Sequence, residues 1–138
     1  MSIDHNICDK EFILLFVYGT LRYGQQNHFY LQNSTCIERH CWINSALFDT
    51  GLGYPAIKKS ADNKTFGELY RVSKNLLKDI DELEDYYGPG KDNMYNRVRE
   101  KVMTTHTSYD AFVYVIDPAK EHLLKTKIQD GDWNSYWK

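Results

Sequence analysis

The chain has 138 residues, the size of one domain, and is 42% hydrophobic and 26% charged, as an ordinary globular protein is. Its 17 Lys and Arg residues against 19 Asp and Glu residues give a net charge of −2, and no basic block occurs. A protein that binds a nucleic-acid backbone needs a clustered positive patch, so this balance argues against a nucleic-acid partner. We expect a single domain over residues 1–138.

The cysteines and the N-terminus indicate the compartment. Cys8, Cys36 and Cys41 are an odd number without a CxxC pair, so we expect no disulfide framework and a reducing environment. Residues 1–10 lack the apolar segment of a signal peptide, and the longest apolar run, 12–18, is too short to cross a bilayer. We therefore expect a cytoplasmic protein without a membrane partner, in which residues 1–10 form a loose leader.

The first half of the chain is predicted to be mostly strand. Residues 12–18 form a continuous apolar run that ends at Gly19, which is typical of a strand buried on both faces. A turn at 19–24 and a short helix at 25–32 are predicted next. Two strands follow at 35–40 and 42–48, then a glycine-containing loop at 50–55 and a further strand at 66–72.

The second half holds the clearest helix, predicted over 74–87. Ser73 is a suitable N-cap, and Gly88-Pro89-Gly90 is a strong stop signal. A strand pair at 95–103 and 110–116 follows, and the tail from 118 to 138 is expected to hold a short helix before Gly131-Asp132-Trp133. Several strands with one central helix predict an α+β fold with a curved sheet or a small barrel.

One acidic residue of this helix does not face solvent. The apolar stripe of the helix consists of Leu76, Leu77, Ile80, Leu83 and Tyr87. Successive residues of a helix are about 100° apart around its axis, which places Glu84 about 50° from the middle of the stripe. The other acidic residues of the helix lie at the margin of the stripe or beyond it. Burial raises the pKa of a carboxyl toward neutrality, which suits a group that takes up and returns a proton.

Two structural interpretations of Glu84 remain open at this stage. The side chain could extend along the edge of the stripe to reach water. Alternatively, it could be buried in an ion pair with Arg97 or Arg99.

The loop after the first strand is a candidate anion site. Consecutive backbone N–H groups in a glycine-containing turn can converge on an anion or on a carbonyl oxygen that becomes negative during reaction. Gly19 and Gly24 have the glycine spacing of a P-loop, but Gln25-Gln26 stand where Lys and Ser or Thr would be needed. Nucleotide binding is therefore not supported, and an ordinary tight turn is the alternative.

A metal site is not predicted. Cys36, His40 and Cys41 are three potential ligands, but structural zinc takes four, usually in paired spacings. His40 and Cys41 are adjacent on a predicted strand, so they would point to opposite faces.

Several segments together resemble a known family. Phe16-Val17-Tyr18-Gly19-Thr20-Leu21-Arg22 resembles the signature that opens γ-glutamylcyclotransferase-like proteins, including the AIG2-like and γ-glutamylamine cyclotransferase branches. Further segments match the family in the same order: Gly53-Tyr54-Pro55-Ala56, Gly67-Glu68-Leu69-Tyr70-Arg71-Val72, Leu77 to Glu84, Met94-Tyr95-Asn96-Arg97 and Ala111-Phe112-Val113-Tyr114-Val115. The resemblance covers roughly residues 12–116. The segment 86–93 is somewhat longer than in compact members, which could alter access to a pocket.

The resemblance implies a small mixed β-barrel with flanking α-helices and a cavity near one end. It implies that Glu84 is the catalytic carboxylate and that substrate is bound by Tyr18, Gly19, Thr20, Leu21, Arg22, Tyr95 and Tyr114. The partner would be a small γ-glutamyl molecule, converted to 5-oxoproline and a free amine without a metal or an organic cofactor. Arg22 could instead shape the loop or pair with a carboxylate.

Three other functions stay open. The domain could bind a small molecule without chemistry, or it could present its Tyr and Trp residues to a partner protein. A third possibility is a cyclotransferase that removes a γ-glutamyl group from a biosynthetic intermediate rather than from a metabolite such as glutathione. The sequence indicates neither the particular γ-glutamyl compound nor the oligomeric state.

Overall fold

A computed structural model describes residues 12–137, so the expected leader at 1–10 lies outside the described residues. The strands are β1 (Phe12–Val17), β2 (Thr35–Asp49), β3 (Pro55–Ser73), β4 (Tyr95–Met103), β5 (Ser108–Ile116) and β6 (Thr126–Lys127). The α-helices are α1 (Lys74–Leu83) and α2 (Trp133–Tyr136), and short 3₁₀ helices span His28–Leu31 and Pro118–Leu123.

The sheet closes on itself. Its strand order is β3-β1-β5-β4-β2, and an additional β2–β3 pairing joins the two ends, while β6 extends the sheet beside β2. β1 and β5 run parallel, whereas the other pairs are antiparallel. The predicted α+β fold, a small mixed barrel with flanking helices, is confirmed.

The first strand contributes to two hydrophobic clusters. Leu15 and Val17 pack in one cluster with Ile80 of α1, and Phe16 packs in the other with Leu69 and Trp133. Successive side chains of a strand point to opposite sides, so a strand buried on both faces serves both clusters. The prediction from the apolar run is confirmed for Leu15 to Tyr18, all buried, whereas Phe12 is exposed.

The prediction of two separate strands at 35–40 and 42–48 was wrong. β2 is continuous and forms one long hairpin with β3, whose pairing shifts register between Cys36 and Glu38 and again between Glu38 and Cys41. Irregular pairing of this kind bends a strand without ending it. β3 also begins at Pro55 instead of residue 66, because it pairs with β2 through a polar stretch that has little hydrophobic alternation.

The main helix begins as predicted but ends early. The Ser73 hydroxyl accepts a hydrogen bond from the Leu76 N–H at 3.1 Å, which confirms the N-cap. The Tyr86 N–H bonds to the Asp81 carbonyl and the Asp85 N–H to the Glu82 carbonyl, and Asp85 has φ 52°. This is a Schellman ending with Asp where Gly is usual, so the helix stops at Leu83 and Tyr87 is exposed.

The C-terminal segment packs onto the barrel. Trp133 is 2% exposed, and the Phe66 N–H donates to the Gly131 carbonyl at 2.8 Å. The short helix expected between residue 118 and Gly131 is present as the 3₁₀ helix Pro118–Leu123, whereas α2 follows Gly131 and was not predicted. None of the helices within residues 12–137 has the length and apolar character that crossing a bilayer requires.

Candidate active site

A cavity of about 180 Å³ lies where the loop after β1 meets the end of α1. The start of β4 and part of β5 complete its wall. The lining residues are Phe16, Val17, Tyr18, Gly19, Thr20, Leu21, Gln26, Asn27, Tyr54, Pro55, Leu83, Glu84, Asp85, Met94, Tyr95 and Tyr114. The cavity therefore brings Glu84 together with six of the seven residues predicted to bind substrate.

Glu84 lies at the C-cap of α1, and its backbone N–H still bonds to the Ile80 carbonyl at 2.9 Å. Its side chain is half-buried at the cavity wall. Among residues 12–137 no group donates a hydrogen bond to its carboxylate. Arg97 pairs instead with Asp81, and the Arg99 guanidinium lies over the Phe112 ring at 4.6 Å. The ion-paired interpretation of Glu84 is therefore wrong.

The surroundings of Glu84 favour its neutral form. Burial raises the pKa of its carboxyl from an ordinary 4.5 to about 8, and the charge of Asp85 contributes in the same direction. A carboxyl with a pKa of about 8 exchanges a proton near neutral pH, as a general acid or base must. The physical environment expected for Glu84 is thus present in the structure.

Three tyrosines of the cavity have hydroxyls that are already engaged as donors. Tyr18 donates to the Tyr114 carbonyl at 2.6 Å, Tyr95 to the Pro55 carbonyl at 2.7 Å, and Tyr114 to Asp81 at 2.6 Å. Burial raises the pKa of all three phenols, so they stay neutral. A phenol has one proton, so toward a ligand these oxygens act as acceptors.

The loop after β1 offers backbone donors at the cavity wall. Gly19 and Leu21 are buried, and Thr20 lies between them. Within residues 12–137, the N–H groups of these three residues donate no hydrogen bond to another protein group. Buried amides are nearly always paired, so adjacent free ones mark a place where a ligand oxygen or water binds.

The loop is held in place from behind. The buried Glu68 carboxylate accepts hydrogen bonds from the Arg22 side chain, the Tyr23 N–H and the Tyr70 hydroxyl, at 3.0, 2.9 and 2.9 Å. Arg22 also donates to Asp132 at 2.8 Å. The structure therefore places Arg22 outside the cavity that holds Glu84, with its guanidinium paired to two carboxylates.

Several lining residues were not predicted. Tyr54 packs edge-on against Tyr95, with ring centroids 6.5 Å apart. Pro55 packs against Gly19 so closely that a Cβ added to Gly19 would lie 2.5 Å from the Pro55 Cγ. The Gly53-Tyr54-Pro55-Ala56 motif carried a signal for this loop. The Met94-Tyr95-Asn96-Arg97 motif included Met94, but no sequence signal identified Asp85, because the Schellman ending of α1 and the bond from the Met94 N–H to the Asp85 carbonyl are not visible in the local pattern.

No grouping of three or more metal-binding side chains occurs within residues 12–137. Cys36 and Cys41 are free thiols, and Cys41 is buried with its Sγ donating to the Gly67 carbonyl at 3.4 Å.

The closed mixed barrel with a half-buried carboxyl at a cavity beside the loop after β1 is the arrangement of a protein that acts on a small molecule. The family model "Gamma-glutamyl cyclotransferase, AIG2-like" matches residues 15–135, and the chain belongs to this family. The resemblance found in the sequence is thereby confirmed, and the chain is an enzyme of the γ-glutamylcyclotransferase class.

Relatives of known name support the assignment. The chain is 39% identical over 123 residues to γ-L-glutamyl-butirosin B γ-glutamyl cyclotransferase of Niallia circulans, covering 88% of this chain and 76% of the relative. It is 28% identical over 136 residues to γ-glutamylaminecyclotransferase A of Danio rerio, covering 88% and 73%. The crystal structure of YkqA from Bacillus subtilis superposes with TM-score 0.72 and 27% identity over 91% of this chain, which spans 40% of YkqA.

Proposed function

We propose that this enzyme cyclises a γ-glutamyl amine or peptide to 5-oxoproline and releases the amine, with Glu84 as its general acid and base. The observation that carries the proposal is a carboxyl with a raised pKa that shares one cavity with three amides, none of these groups having a hydrogen-bonding partner within the described residues. The names of the relatives support a γ-glutamyl substrate. A concave site of about 180 Å³ also favours a small molecule over a partner protein as ligand.

The reaction begins with a proton transfer. Glu84, as carboxylate, removes a proton from the substrate's α-ammonium group, which leaves a nucleophilic amine and a neutral carboxylic acid. The amine nitrogen then forms a bond to the γ-carbonyl carbon of the same molecule, and the carbonyl π electrons move onto oxygen. Since nucleophile and electrophile belong to one molecule, the enzyme contributes by folding it into a reactive conformer.

The tetrahedral oxyanion needs donors that are already in position. Gly19, Thr20 and Leu21 line the cavity, their amides have no acceptor among residues 12–137, and these amides are the candidates for this role. Loss of one donor of this type typically costs about 3 kcal/mol of transition-state stabilisation.

Glu84 then returns its proton to the nitrogen of the former amide. The carbon–nitrogen bond breaks, the oxyanion collapses to the lactam carbonyl, and a neutral amine departs. The second proton of the attacking nitrogen is lost to solvent in the same sequence, so that charge and protons balance. The buried phenols of Tyr18, Tyr95 and Tyr114 keep bulk water away and accept hydrogen bonds from the substrate's nitrogen groups.

The test is to incubate the parent protein and Glu84→Gln with a panel of γ-glutamyl amines and peptides and to follow 5-oxoproline release. We expect turnover by the parent and a loss of at least about a hundredfold in Glu84→Gln. Glu82→Gln is the matched control, since Glu82 is exposed on the same helix and should retain activity.

Equal rates in the parent and Glu84→Gln would rule out Glu84 as the acid and base. Binding of panel compounds without any 5-oxoproline would instead favour a non-catalytic binding domain on this fold. The panel should include both peptides and γ-glutamylated biosynthetic intermediates, because the two classes of cyclotransferase differ only in the group that leaves.

A further inference from the structure

Three side chains from separate motifs of the sequence meet beside the cavity. Asp81 lies on α1, Arg97 on β4 and Tyr114 on β5. One carboxylate oxygen of Asp81 accepts a hydrogen bond from the Tyr114 hydroxyl at 2.6 Å, and the other accepts from the Arg97 guanidinium. Tyr114 lines the cavity, whereas Asp81 and Arg97 lie behind it and take no direct part in the proposed reaction.

The hydrogen bonds of this group can run in one direction only. A guanidinium has donors and no acceptor, so Asp81 accepts from Arg97 as a carboxylate. The Arg97 guanidinium also lies over two aromatic rings, 5.2 Å from the centroid of Tyr86 and 4.8 Å from that of Phe112. An ionised Asp81 has no proton to give, so Tyr114 must be the donor of their shared bond, and the lone pairs of its oxygen are left for the cavity.

Asp81 differs from the acceptors of the other two buried phenols. Tyr18 and Tyr95 donate to backbone carbonyls, whereas Tyr114 donates to a side chain. The Asp81 side chain is 19% exposed, and three residues separate it from Glu84, a spacing that brings two side chains to the same side of a helix. The acceptor that fixes the Tyr114 proton therefore lies one helical turn from the proposed acid and base.

The direction of the Tyr114 proton affects Glu84. The titratable side chains that face Glu84 come from every element of the cavity wall: Tyr18, Tyr54, Tyr95, Tyr114 and Asp85. Burial and the contact with Asp81 raise the pKa of the Tyr114 phenol, and the charge of Glu84 raises it further, so the phenol lies within the field of Glu84. A phenol that donated to the Glu84 carboxylate would favour its charged form, lower its pKa and make it a weaker base.

We propose that Asp81 is a positioning residue, which takes the proton of Tyr114 so that this hydroxyl accepts a hydrogen bond from the substrate's α-ammonium and cannot donate one to Glu84. The inference rests on the proposed function and adds a residue to it. Of the three N–H groups of the α-ammonium, one gives its proton to Glu84 and a second is held by Tyr114. The nitrogen is thereby oriented for attack while Glu84 keeps its strength as a base.

Asp81→Asn reverses the hydrogen bond without changing the size of the side chain. The introduced amide oxygen accepts from Arg97 and the amide N–H donates to the Tyr114 oxygen, which releases the phenol proton toward Glu84. We expect the midpoint of the rise in kcat/KM with pH to fall by about one pH unit or more, the effect of one hydrogen bond to a charged group. Asp79→Asn removes the same charge from an exposed position of α1 and should leave the midpoint unchanged.

Tyr114→Phe removes the phenol and keeps the pair of Asp81 and Arg97, so it tests the inference even if Asp81→Asn does not fold. We expect kcat/KM at high pH to fall about tenfold, because the acceptor for the α-ammonium is lost, and the midpoint to stay in place. In this background, Asp81→Asn should no longer move the midpoint. An equal shift with and without the phenol would mean that the charge of Asp81 acts directly on Glu84, and unchanged kcat/KM in Tyr114→Phe would mean that the hydroxyl holds no substrate; either result overturns the inference.

An NMR titration of the Glu84 carboxyl carbon separates failure of this inference from failure of the proposed function, because it needs no turnover. In protein labelled at the glutamate carboxyl carbons, the Glu84 signal is the one that Glu84→Gln lacks. We expect a lower pKa of Glu84 in Asp81→Asn than in the parent, and the same pKa in Tyr114→Phe with and without Asp81→Asn. This pattern supports the role of Asp81 even if no γ-glutamyl compound is turned over. Equal pKa values of Glu84 in the parent and in folded Asp81→Asn overturn it, whatever the substrate panel shows.

Discussion

Glu84 combines two features: its carboxylate has no hydrogen-bonding partner in the part of the chain that the structure describes, and neutral phenols line the cavity around it. The hydroxyls of Tyr18, Tyr95 and Tyr114 each donate their single hydrogen bond to another acceptor, so none of them donates to Glu84. Burial removes water from the charged form and the charge of Asp85 opposes it, so the pKa of the Glu84 carboxyl is raised and the carboxyl keeps its proton to higher pH than in water.

The first prediction concerns the pH dependence of turnover. If Glu84 is the base, the free enzyme is active only when this carboxyl is ionised, so kcat/KM should rise with pH and level off above about 8. Asp85→Asn should move this limb to lower pH, because the like charge that raises the pKa of Glu84 is gone. The pH dependence of kcat/KM, measured with a substrate whose departing group is neutral, checks this prediction. The same midpoint for the rise in kcat/KM in the parent and in Asp85→Asn would contradict it.

The second prediction concerns stability. The pKa of Glu84 is about 8 in the fold against an ordinary 4.5, so between these pH values the unfolded chain has released a proton that the native protein still binds. Stability should therefore fall as pH rises through this window, and the loss should be complete above about pH 8. Glu84→Gln has no carboxyl to ionise, so this dependence disappears. The melting temperature of the variant relative to that of the parent should therefore increase as pH rises. Parallel melting curves of the two proteins across the window would speak against a raised pKa.

At the scale of elements, the loop after β1 depends on a carboxylate that never reaches the cavity. Glu68 of β3 accepts from Arg22, Tyr23 and Tyr70, and Asn27 closes the other side of the loop by donating its backbone N–H to the Thr20 carbonyl at 2.8 Å. The loop conformation that leaves the amides of Gly19 to Leu21 free is thus imposed by strand and loop contacts.

The third prediction follows from this arrangement. Glu68→Gln weakens the buried pair with Arg22 and leaves that guanidinium with less compensation, so stability should fall by about 3 kcal/mol. At a temperature where the variant is folded, kcat should fall about tenfold or more because the amides are less well positioned, whereas KM should change less. Kinetics and denaturation measured on the same preparation check this. Glu38→Gln, also on a strand but hydrogen-bonded to Tyr109, should leave kcat unchanged.

How far the site could be predicted is clearest from the helix. The apolar stripe predicted that Glu84 points inward, and the structure places it at the cavity wall although the helix ends before it, because a C-cap residue still continues the helical turn. Asp85 was missed, since its place depends on a left-handed backbone conformation and on a hydrogen bond to Met94. Arg22 belonged to a recognisable motif, but only the buried partners Glu68 and Asp132 reveal that it faces away from the cavity.

At the scale of the whole molecule, the barrel depends on its C-terminal segment. β6 pairs with β2, Trp133 fills one of the two hydrophobic clusters, and Gly131 contacts the backbone of β3. The α+β class and most strands could be predicted from local patterns. The long β2–β3 hairpin, and the closure that it brings about, could not, because the paired residues near its ends lie far apart in sequence and its polar stretch has no strong periodicity.

The fourth prediction tests that closure. Gly131 has φ 70°, and a Cβ there would lie 1.9 Å from the Lys64 carbonyl oxygen, so Gly131→Ala must displace backbone as well as adopt a strained conformation. We expect a loss of more than about 2 kcal/mol in the free energy of unfolding. Gly90→Ala is the matched control, since Gly90 has φ 76° but an added Cβ would have no atom within 4 Å, so this variant should lose only about 1 kcal/mol. Similar losses in the free energy of unfolding of the two variants, measured by urea denaturation, would show that the contact between Gly131 and β3 does not contribute to stability.

The bond between the Met94 N–H and the Asp85 carbonyl has a consequence for how such an enzyme can diversify. It holds the residues at the two ends of the segment 86–93 together, directly beside the cavity. The length of that segment can therefore change without altering the geometry of Asp85 and Met94. Insertions or deletions there could remodel the rim and change which molecules enter, while the carboxyl and the amides at the floor stay as they are. The rim is thus the part of the molecule where a new substrate range could be acquired in small steps.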